Sequence, residues 1–93
     1  MTPIRWSVPA AQDLERICQR IERDSPEAAS RVAKTIFEGC SQLSNFPNLG
    51  RASRRMMGRR ELTFPSLPYI AVYQLKNETI EISRIFHAAQ DWP

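Results

Sequence analysis

The spacing of apolar residues changes from a helical to a strand period part-way along this 93-residue chain, and this change restricts the fold more than any other feature. In the first half, Leu14, Ile17, Cys18 and Ile21 follow the i, i+3, i+4, i+7 pattern of an amphipathic helix. From residue 59 onward, short segments rich in β-branched and aromatic residues follow the pattern of strands. The chain is therefore predicted to place two helices before most of its strands, as α+β domains do.

Two helix-start signals divide the first half of the chain. Ser7 can cap a helix that has Pro9 in its first turn, and Ser25 precedes Pro26 at the start of a second helix. The apolar stripe of the second helix continues to about Ser44. Because almost no linker separates the two helices, they should form an antiparallel hairpin.

Four segments are predicted to be strands. They are PIRW, RRELTF, YIAVYQL and TIEISRIF, and KNET forms a short hairpin turn between the last two. YIAVYQL is apolar on both faces, so it should be the central strand. Residues 44–58 are predicted to be a loop. The predicted order over residues 1–93 is β-α-α-β-β-β, a single α+β domain whose helical hairpin packs on one face of a small, largely antiparallel sheet.

The composition indicates neither a membrane protein nor a cofactor-dependent enzyme. No apolar run approaches 18 residues and the first ten residues lack a secretory signal core, so a cytoplasmic location without membrane contact is expected. Cys18 and Cys40 match no metal-ligand spacing, and a separation of roughly 12 Å along the hairpin would prevent a disulfide. No metal or other cofactor is expected. Four aromatic residues are expected in the core or at its edge, and the last should tether the C-terminal tail: Trp6, Tyr69, Tyr73 and Trp92.

The net charge of +3 comes entirely from the second half of the chain. Residues 51–93 contain seven basic and four acidic side chains, whereas residues 1–50 contain six of each. Five arginines and no acidic residue lie within residues 51–60: Arg51, Arg54, Arg55, Arg59 and Arg60. Because like charges repel, this cluster predicts contact with an anionic partner, either a nucleic acid or an acidic protein, and a purely solubilising patch is the alternative.

The only histidine, His87, is a candidate acid or base together with Arg84 and Arg60. The arginines would stabilise negative charge on a phosphate, the histidine would move a proton, and the 2′-hydroxyl of RNA would be the nucleophile. The alternative is a structural histidine, hydrogen-bonded at the end of a strand. Glu61 is a possible second acid or base, and is equally suited to pair with a neighbouring arginine.

Strict alternation along the last strand argues against that catalytic group. It places Arg84 on one face with Ile82 and Phe86, and His87 on the other face with Ile85. The two side chains could reach one site only through a bulge or a turn of the chain at the strand end.

The predicted element order and three segments together resemble the RelE/ParE superfamily of bacterial toxins, over residues 4–93. The segments are FPNLGRASRRMMGRREL, PYIAVYQL and IEISRIFHAAQDWP. This resemblance implies the toxin of a type II toxin–antitoxin module that arrests bacterial growth. It also implies a cognate antitoxin that neutralises the protein by wrapping an extended or helical segment over it. From the charge asymmetry of the chain, we expect this contact on the exposed surface of the helical hairpin, the basic loop and the sheet edge.

The superfamily divides by target. RelE-type members cut mRNA in the ribosomal A site, whereas ParE-type members poison DNA gyrase and lack the catalytic set. Arg60 and Arg84 fall where RelE-type enzymes place phosphate-binding arginines, but the lysines of that subgroup are absent and no tyrosine follows Arg84. The ending RIFHAAQD is more similar to ParE-type toxins, which favours a non-catalytic His87. The resemblance therefore implies a ParE-like gyrase inhibitor, and the alternative is a RelE-like ribosome-dependent mRNA endonuclease that uses Arg60, Arg84 and His87.

Overall fold

The structure is a computed structural model that describes residues 1–89, so the predicted tether Trp92 lies outside the described residues. The elements, in chain order, are β1 (Ile4–Trp6), α1 (Val8–Glu22), α2 (Pro26–Ser41), a 3-10 helix (Gln42–Ser44), β2 (Arg51–Ala52), β3 (Arg60–Thr63), β4 (Tyr69–Lys76) and β5 (Thr79–His87). The predicted order is confirmed, with one addition: the two-residue strand β2 forms within the segment predicted to be a loop.

Both helices begin where the sequence predicts. The hydroxyl of Ser7 accepts a hydrogen bond from the backbone N–H of Ala10 at 3.1 Å, and the hydroxyl of Ser25 accepts one from Ala28 at 3.1 Å. Each bond satisfies a backbone donor that has no partner within the helix. A proline follows each cap in the first turn, where its missing N–H costs no hydrogen bond. The helices pack against each other as the predicted hairpin.

The five strands form one mixed sheet in the order β1-β5-β4-β3-β2, so the apolar strand β4 is central as predicted. β1 runs parallel to β5, and the other neighbours are antiparallel. Asn77 and Glu78 connect β4 to β5 with φ angles of 53° and 61°. Positive φ at both residues is the geometry of a tight hairpin turn whose twist matches that of the strands.

The core lies between the helical hairpin and one face of the sheet. Its fully buried side chains include Ala10, Ile36, Leu43, Ala71, Tyr73, Ile80 and Ile82. Trp6 and Tyr69 pack against the edge of this core, so the expectation for these aromatic residues is confirmed. Cys18 and Cys40 are free thiols, and burial raises the pKa of Cys40 to about 12.

Two structural absences apply to the described part of the chain. No helix within residues 1–89 is both long and apolar enough to cross a membrane. Over the same residues, no group of three His, Cys, Asp or Glu side chains could hold a metal ion.

Candidate functional site

β5 contains one extra residue midway along its pairing with β4. Ile82 lies opposite Tyr73 and Arg84 lies opposite Val72, so Ser83 between them forms a β-bulge. The bulge shifts the alternation of side chains by one position. The prediction that Arg84 shares a face with Ile82 is therefore wrong: Ile82 contacts the core, whereas Ser83 and Arg84 lie on the sheet face away from the helices.

Arg84 is held by contacts on two sides. Its guanidinium carbon lies 5.1 Å from the ring centre of Phe86, which confirms that these two residues share a face. Its Nε donates to Oδ2 of Asp13 at 2.7 Å, and its Nη2 donates to Oδ1 at 3.0 Å. Asp13 also accepts hydrogen bonds from the backbone N–H of Ile85 at 3.0 Å and from Nη2 of Arg16 at 2.7 Å. The carboxylate thereby fixes the orientation of Arg84.

Asp13 occupies a length of β5 edge that no strand within residues 1–89 covers. β1 pairs with β5 only as far as Ile82, and beyond it the Asp13 side chain, 5% exposed, accepts the N–H of Ile85. Burial favours a raised pKa for Asp13, but hydrogen bonds from Arg84 and Ile85 and the charges of Arg84 and Arg16 outweigh it and hold the pKa below 3.8. The apolar pattern of α1 gives no sign of this residue's role.

His87 ends β5 and lies opposite Tyr69, with the two rings edge to face and their centres 5.4 Å apart. Its Nδ1 accepts a hydrogen bond from the backbone N–H of Ala89 at 3.1 Å. A groove of about 180 Å³ lies between α1 and this end of β5, and we name it the basic groove. Its lining includes Asp13, Arg16, Arg20, Tyr69, Arg84 and His87. Arg84 and His87 still alternate along β5, but Arg84 reaches around the strand edge to Asp13, and the structure thus brings two of the three predicted catalytic residues to one groove.

The third predicted catalytic residue, Arg60, lies elsewhere. It begins β3, which is separated from β5 by β4, and it lies two residues before the core residue Leu62, on the same face of the strand. Arg60 therefore lies on the helix-covered face, whereas Arg84 lies on the opposite face. Its Nη1 donates to the carbonyl oxygen of Gly50 at 2.7 Å, and the N–H of Gly50 donates to the hydroxyl of Tyr73 at 2.9 Å. Arg60 is thus part of a buried connection between the loop and the core.

Gly50 is required at this connection because the chain passes very close to β3. A Cβ atom at this position would lie 2.5 Å from the carbonyl oxygen of Glu61 and 2.8 Å from the ring of Tyr73. Only glycine permits this approach without a shift of backbone. The close contact positions β2 and the residues that follow it.

Residues 51–60, which we name the arginine loop, fold around the buried carboxylate of Glu61. One carboxylate oxygen, Oε2, accepts hydrogen bonds from the hydroxyl of Ser53 at 2.9 Å, the N–H of Arg54 at 3.3 Å and Nη1 of Arg55 at 3.3 Å. Arg51 forms a longer ion pair with Oε1, at 3.7 Å. Burial favours a raised pKa for Glu61, but the bonds from Ser53 and Arg55 and the charge of Arg55 hold it below 4.5. The structure places Glu61 in the pairing role that the sequence left open.

The five arginines of the arginine loop have different surroundings. The side chain of Arg55 is only 16% exposed, and its Nη2 donates to the carbonyl oxygen of residue 88 at 3.2 Å. Arg59 is half-buried, and its Nε donates to the hydroxyl of Ser83 at 3.1 Å. The loop therefore spans the sheet face away from the helices. The two exposed arginines of the loop are Arg51 and Arg54.

A second surface is apolar and lies between the two helices and β1. It is a groove of about 360 Å³ that we name the apolar groove, lined mainly by Trp6, Ala11, Leu14, Cys18, Ala33 and Phe37. The Phe37 side chain is 58% exposed and stacks on Trp6 with ring centres 6.5 Å apart. Exposed aromatic surface of this kind is typical of a protein-binding site.

The comparison with protein families identifies the chain. Residues 4–92 match the model described as the ParE toxin of the type II toxin–antitoxin system parDE. The chain belongs to this toxin family. The predicted membership of the RelE/ParE superfamily, and with it the type II toxin, is confirmed. This ParE-family toxin therefore carries two distinct surfaces of basic side chains, the arginine loop and the basic groove, together with the apolar groove.

Two relatives are similar to this ParE-family toxin over nearly its whole length. Y4kP of Sinorhizobium fredii is 38% identical over 90 residues, which cover 97% of this chain and 92% of the relative. Toxin RelE2 of Caulobacter vibrioides is 32% identical over 90 residues, covering 97% of this chain and 99% of the relative.

Two solved structures share the fold of this ParE-family toxin. A chain of the chromosomal ParDE toxin–antitoxin system from P. aeruginosa has a TM-score of 0.83 and 30% identity, covering 94% of this chain and 96% of that chain. A chain of the RelBE2 toxin–antitoxin complex of Mycobacterium tuberculosis has a TM-score of 0.61 and 23% identity, covering 92% and 96% respectively, and indicates the fold alone.

Proposed function

We propose that this toxin is a ParE-like inhibitor of DNA gyrase that acts in the cytoplasm and is neutralised by a cognate antitoxin. The observation that carries this proposal is the separation of Arg60 from Arg84 and His87. Arg60 lies on the helix-covered face and is bonded to Gly50, so the three side chains that a RelE-like ribonuclease would use do not meet at one phosphate. An inhibitor that acts by binding does not need that catalytic set.

The arginine loop supplies a binding surface for such an inhibitor. Glu61 fixes the loop backbone through Ser53 and Arg54, so the exposed side chains of Arg51 and Arg54 extend from an ordered support. A rigid support reduces the entropy lost when a side chain binds a partner. Guanidinium groups suit both carboxylates and phosphates, and gyrase bound to DNA presents both.

The apolar groove is the surface we assign to the antitoxin. The groove has almost no polar lining, and the exposed ring of Phe37 borders it. An amphipathic helix could place its apolar side chains there, in the helix-in-groove mode of recognition. The ParDE structure from P. aeruginosa is of a toxin–antitoxin system, which supports an antitoxin as the partner.

A RelE-like ribonuclease is the second candidate. Two observations favour it: the 32% identity to RelE2, and the approach of Arg84 and His87 to one groove. In that case the basic groove would hold the RNA phosphate, and Arg60 would not contact the RNA but would only help to position the arginine loop through Gly50.

The two candidates are separated by testing both targets with the same purified protein. We expect it to trap gyrase–DNA breaks and inhibit supercoiling, and to leave ribosome-bound mRNA intact. The Arg51→Ala/Arg54→Ala variant should be a weaker gyrase inhibitor because it removes the exposed charges of the arginine loop. Arg23→Ala/Arg31→Ala removes the same charge from outside the loop and should retain inhibition. Cleavage of mRNA with gyrase unaffected would favour the ribonuclease instead.

A further inference from the structure

The basic groove is assembled from parts of the chain that are far apart in sequence. Arg16 and Arg20 lie one turn apart on α1, on the same face as Asp13, and Arg84 comes from the bulged region of β5. The first half of the chain has no net charge, so its sequence gives no indication of a basic site. Folding creates this site by turning two helical arginines towards Arg84.

We propose that the basic groove binds a backbone phosphate of duplex DNA. The assignment deepens the proposed function and rests on it, because duplex DNA is what gyrase holds and cleaves. The groove, at about 180 Å³, is smaller than typical pockets for drug-sized ligands, which begin at about 300 Å³. It therefore suits a single oxyanion group such as a phosphate better than a whole nucleotide.

The charges of the basic groove favour an anion. Three guanidinium groups, those of Arg16, Arg20 and Arg84, face one carboxylate, that of Asp13, which leaves two positive charges in excess. Both oxygens of Asp13 are occupied by Arg84, Arg16 and the N–H of Ile85, and the side chain is 5% exposed. An incoming phosphate would therefore meet the arginines and not the carboxylate.

One arginine of the basic groove is already oriented for binding. Asp13 engages Nε and Nη2 of Arg84, while the guanidinium carbon lies over the ring of Phe86. Among residues 1–89, no hydrogen bond engages Nη1 of Arg84, and no ion pair engages Arg20. A phosphate oxygen would accept hydrogen bonds from Nη1 of Arg84 and from the guanidinium of Arg20. Because Arg84 is already oriented, it loses less entropy when it binds.

The aromatic rings of the basic groove are in contact with neighbouring side chains. Proteins that bind single strands stack unpaired bases on aromatic rings. Here the rings of Tyr69 and His87 contact each other edge to face, and Phe86 lies under Arg84. Contacts from arginine to phosphate oxygens position a protein on duplex DNA without reading its sequence.

The basic groove and the apolar groove lie on opposite sides of α1. At 100° per residue, Ala11, Leu14 and Cys18 lie roughly 160° around the helix from Arg16 and Arg20. A segment seated in the apolar groove would therefore not cover the arginines of the basic groove.

The test is binding of a short fluorescent DNA duplex by the purified toxin, measured by anisotropy over a series of salt concentrations. We expect the Arg16→Ala/Arg20→Ala variant to bind more weakly than the wild type. The slope of log K against log salt should become shallower by about 1, because the one phosphate contact made by the groove is lost. Arg23→Ala/Arg31→Ala removes the same net charge outside the groove and should keep nearly the wild-type slope. Thermal unfolding of both variants verifies that each is folded.

The proposal is overturned by any of three results. The wild type binds no duplex, or the two double variants have equal slopes, or single-stranded RNA binds more tightly than the duplex with the same dependence on Arg16 and Arg20. The gyrase assay is a separate readout. Loss of duplex binding in Arg16→Ala/Arg20→Ala with gyrase unaffected by the wild type would support the groove and reject the target. If the wild type inhibits gyrase but Arg16→Ala/Arg20→Ala binds duplex DNA as tightly as the wild type, the target is supported and the groove is rejected as a DNA site.

Discussion

Two buried carboxylates decide which arginines of this toxin remain available to a partner. Among the described residues, Asp13 and Glu61 are the acidic side chains that are buried, and each accepts hydrogen bonds from arginine and from backbone N–H groups. Glu61 engages Arg55 in the arginine loop, and Asp13 engages Arg84 in the basic groove. Removing either carboxylate would leave a partly buried guanidinium without its counter-charge, which costs more than the original pair contributes.

We predict that Glu61→Gln lowers the free energy of unfolding by about 3 kcal/mol. The amide keeps an acceptor for Ser53 but loses the charge that balances Arg55, whose side chain is 16% exposed. Urea unfolding would measure the change. The matched control is Glu38→Gln, because Glu38 is 65% exposed and pairs with Lys34 at 4.0 Å. That exposed pair should contribute less than about 1 kcal/mol, so equal losses in the two variants would contradict the prediction.

The same two carboxylates predict the response to acid. The pKa of Asp13 and that of Glu61 lie below their ordinary values of 3.8 and 4.5 in the folded protein. The unfolded chain therefore binds more protons in this range, and stability should fall as the pH decreases from about 5 through the folded-state pKa values. Urea unfolding at a series of pH values would measure this fall. Glu61→Gln should show a shallower decline than the wild type, and stability that is constant or rises on acidification would refute the argument.

At the scale of elements, Ser7 connects the first helix to the bulged strand. Its hydroxyl caps α1 by accepting from Ala10 and also donates to the carbonyl oxygen of Ser83 at 2.9 Å. Its backbone N–H donates to the carbonyl oxygen of Ile82 at 3.0 Å. One residue thus joins the start of α1 to the place where β5 changes its alternation.

We predict that Ser7→Ala is more destabilising than Ser25→Ala. Both changes remove an N-cap, which costs about 1 kcal/mol. Ser7→Ala also removes the hydrogen bond to Ser83, so its total cost should be about 2 kcal/mol. Thermal or urea unfolding of the two variants makes the comparison direct. If both lost the same stability, the hydroxyl of Ser7 would have no role beyond the helix cap.

The sequence predicts the elements whose signals are local and misses those that depend on distant pairing. Helix caps, the apolar periods of the helices and the KNET turn lie within a few residues, and all are confirmed. β2 and the bulge at Ser83 each require a partner strand, and no local pattern marks them. The same holds for the site. The arginine cluster is evident in the sequence, but the sequence does not show which of its arginines are held by Glu61 and which remain exposed. Asp13 is less predictable still, because its partner Arg84 lies 71 residues away.

At the scale of the whole molecule, α1 separates surfaces of different chemistry. The apolar groove faces one side of the helix, the basic groove lies on the other, and the arginine loop crosses the sheet face away from the helices. Neutralisation by an antitoxin and contact with a target can therefore depend on different residues. A variant that disrupts only the apolar groove should lose neutralisation by the antitoxin and retain contact with the target.

We predict that Phe37→Asp abolishes rescue by the antitoxin while leaving growth arrest intact. A charge on the lining of the apolar groove should weaken antitoxin binding by about 2–4 kcal/mol, as at an interface hot spot. The change should not unfold the toxin, because the Phe37 ring is 58% exposed. Phe46→Asp is the matched control, since Phe46 is 61% exposed and lies outside the groove. Co-expression with the antitoxin gene measures rescue, and calorimetry of the purified pair measures antitoxin binding.

If Phe37→Asp were rescued as fully as Phe46→Asp, the antitoxin would have to bind another surface. If it no longer arrested growth, the apolar groove would belong to the target contact.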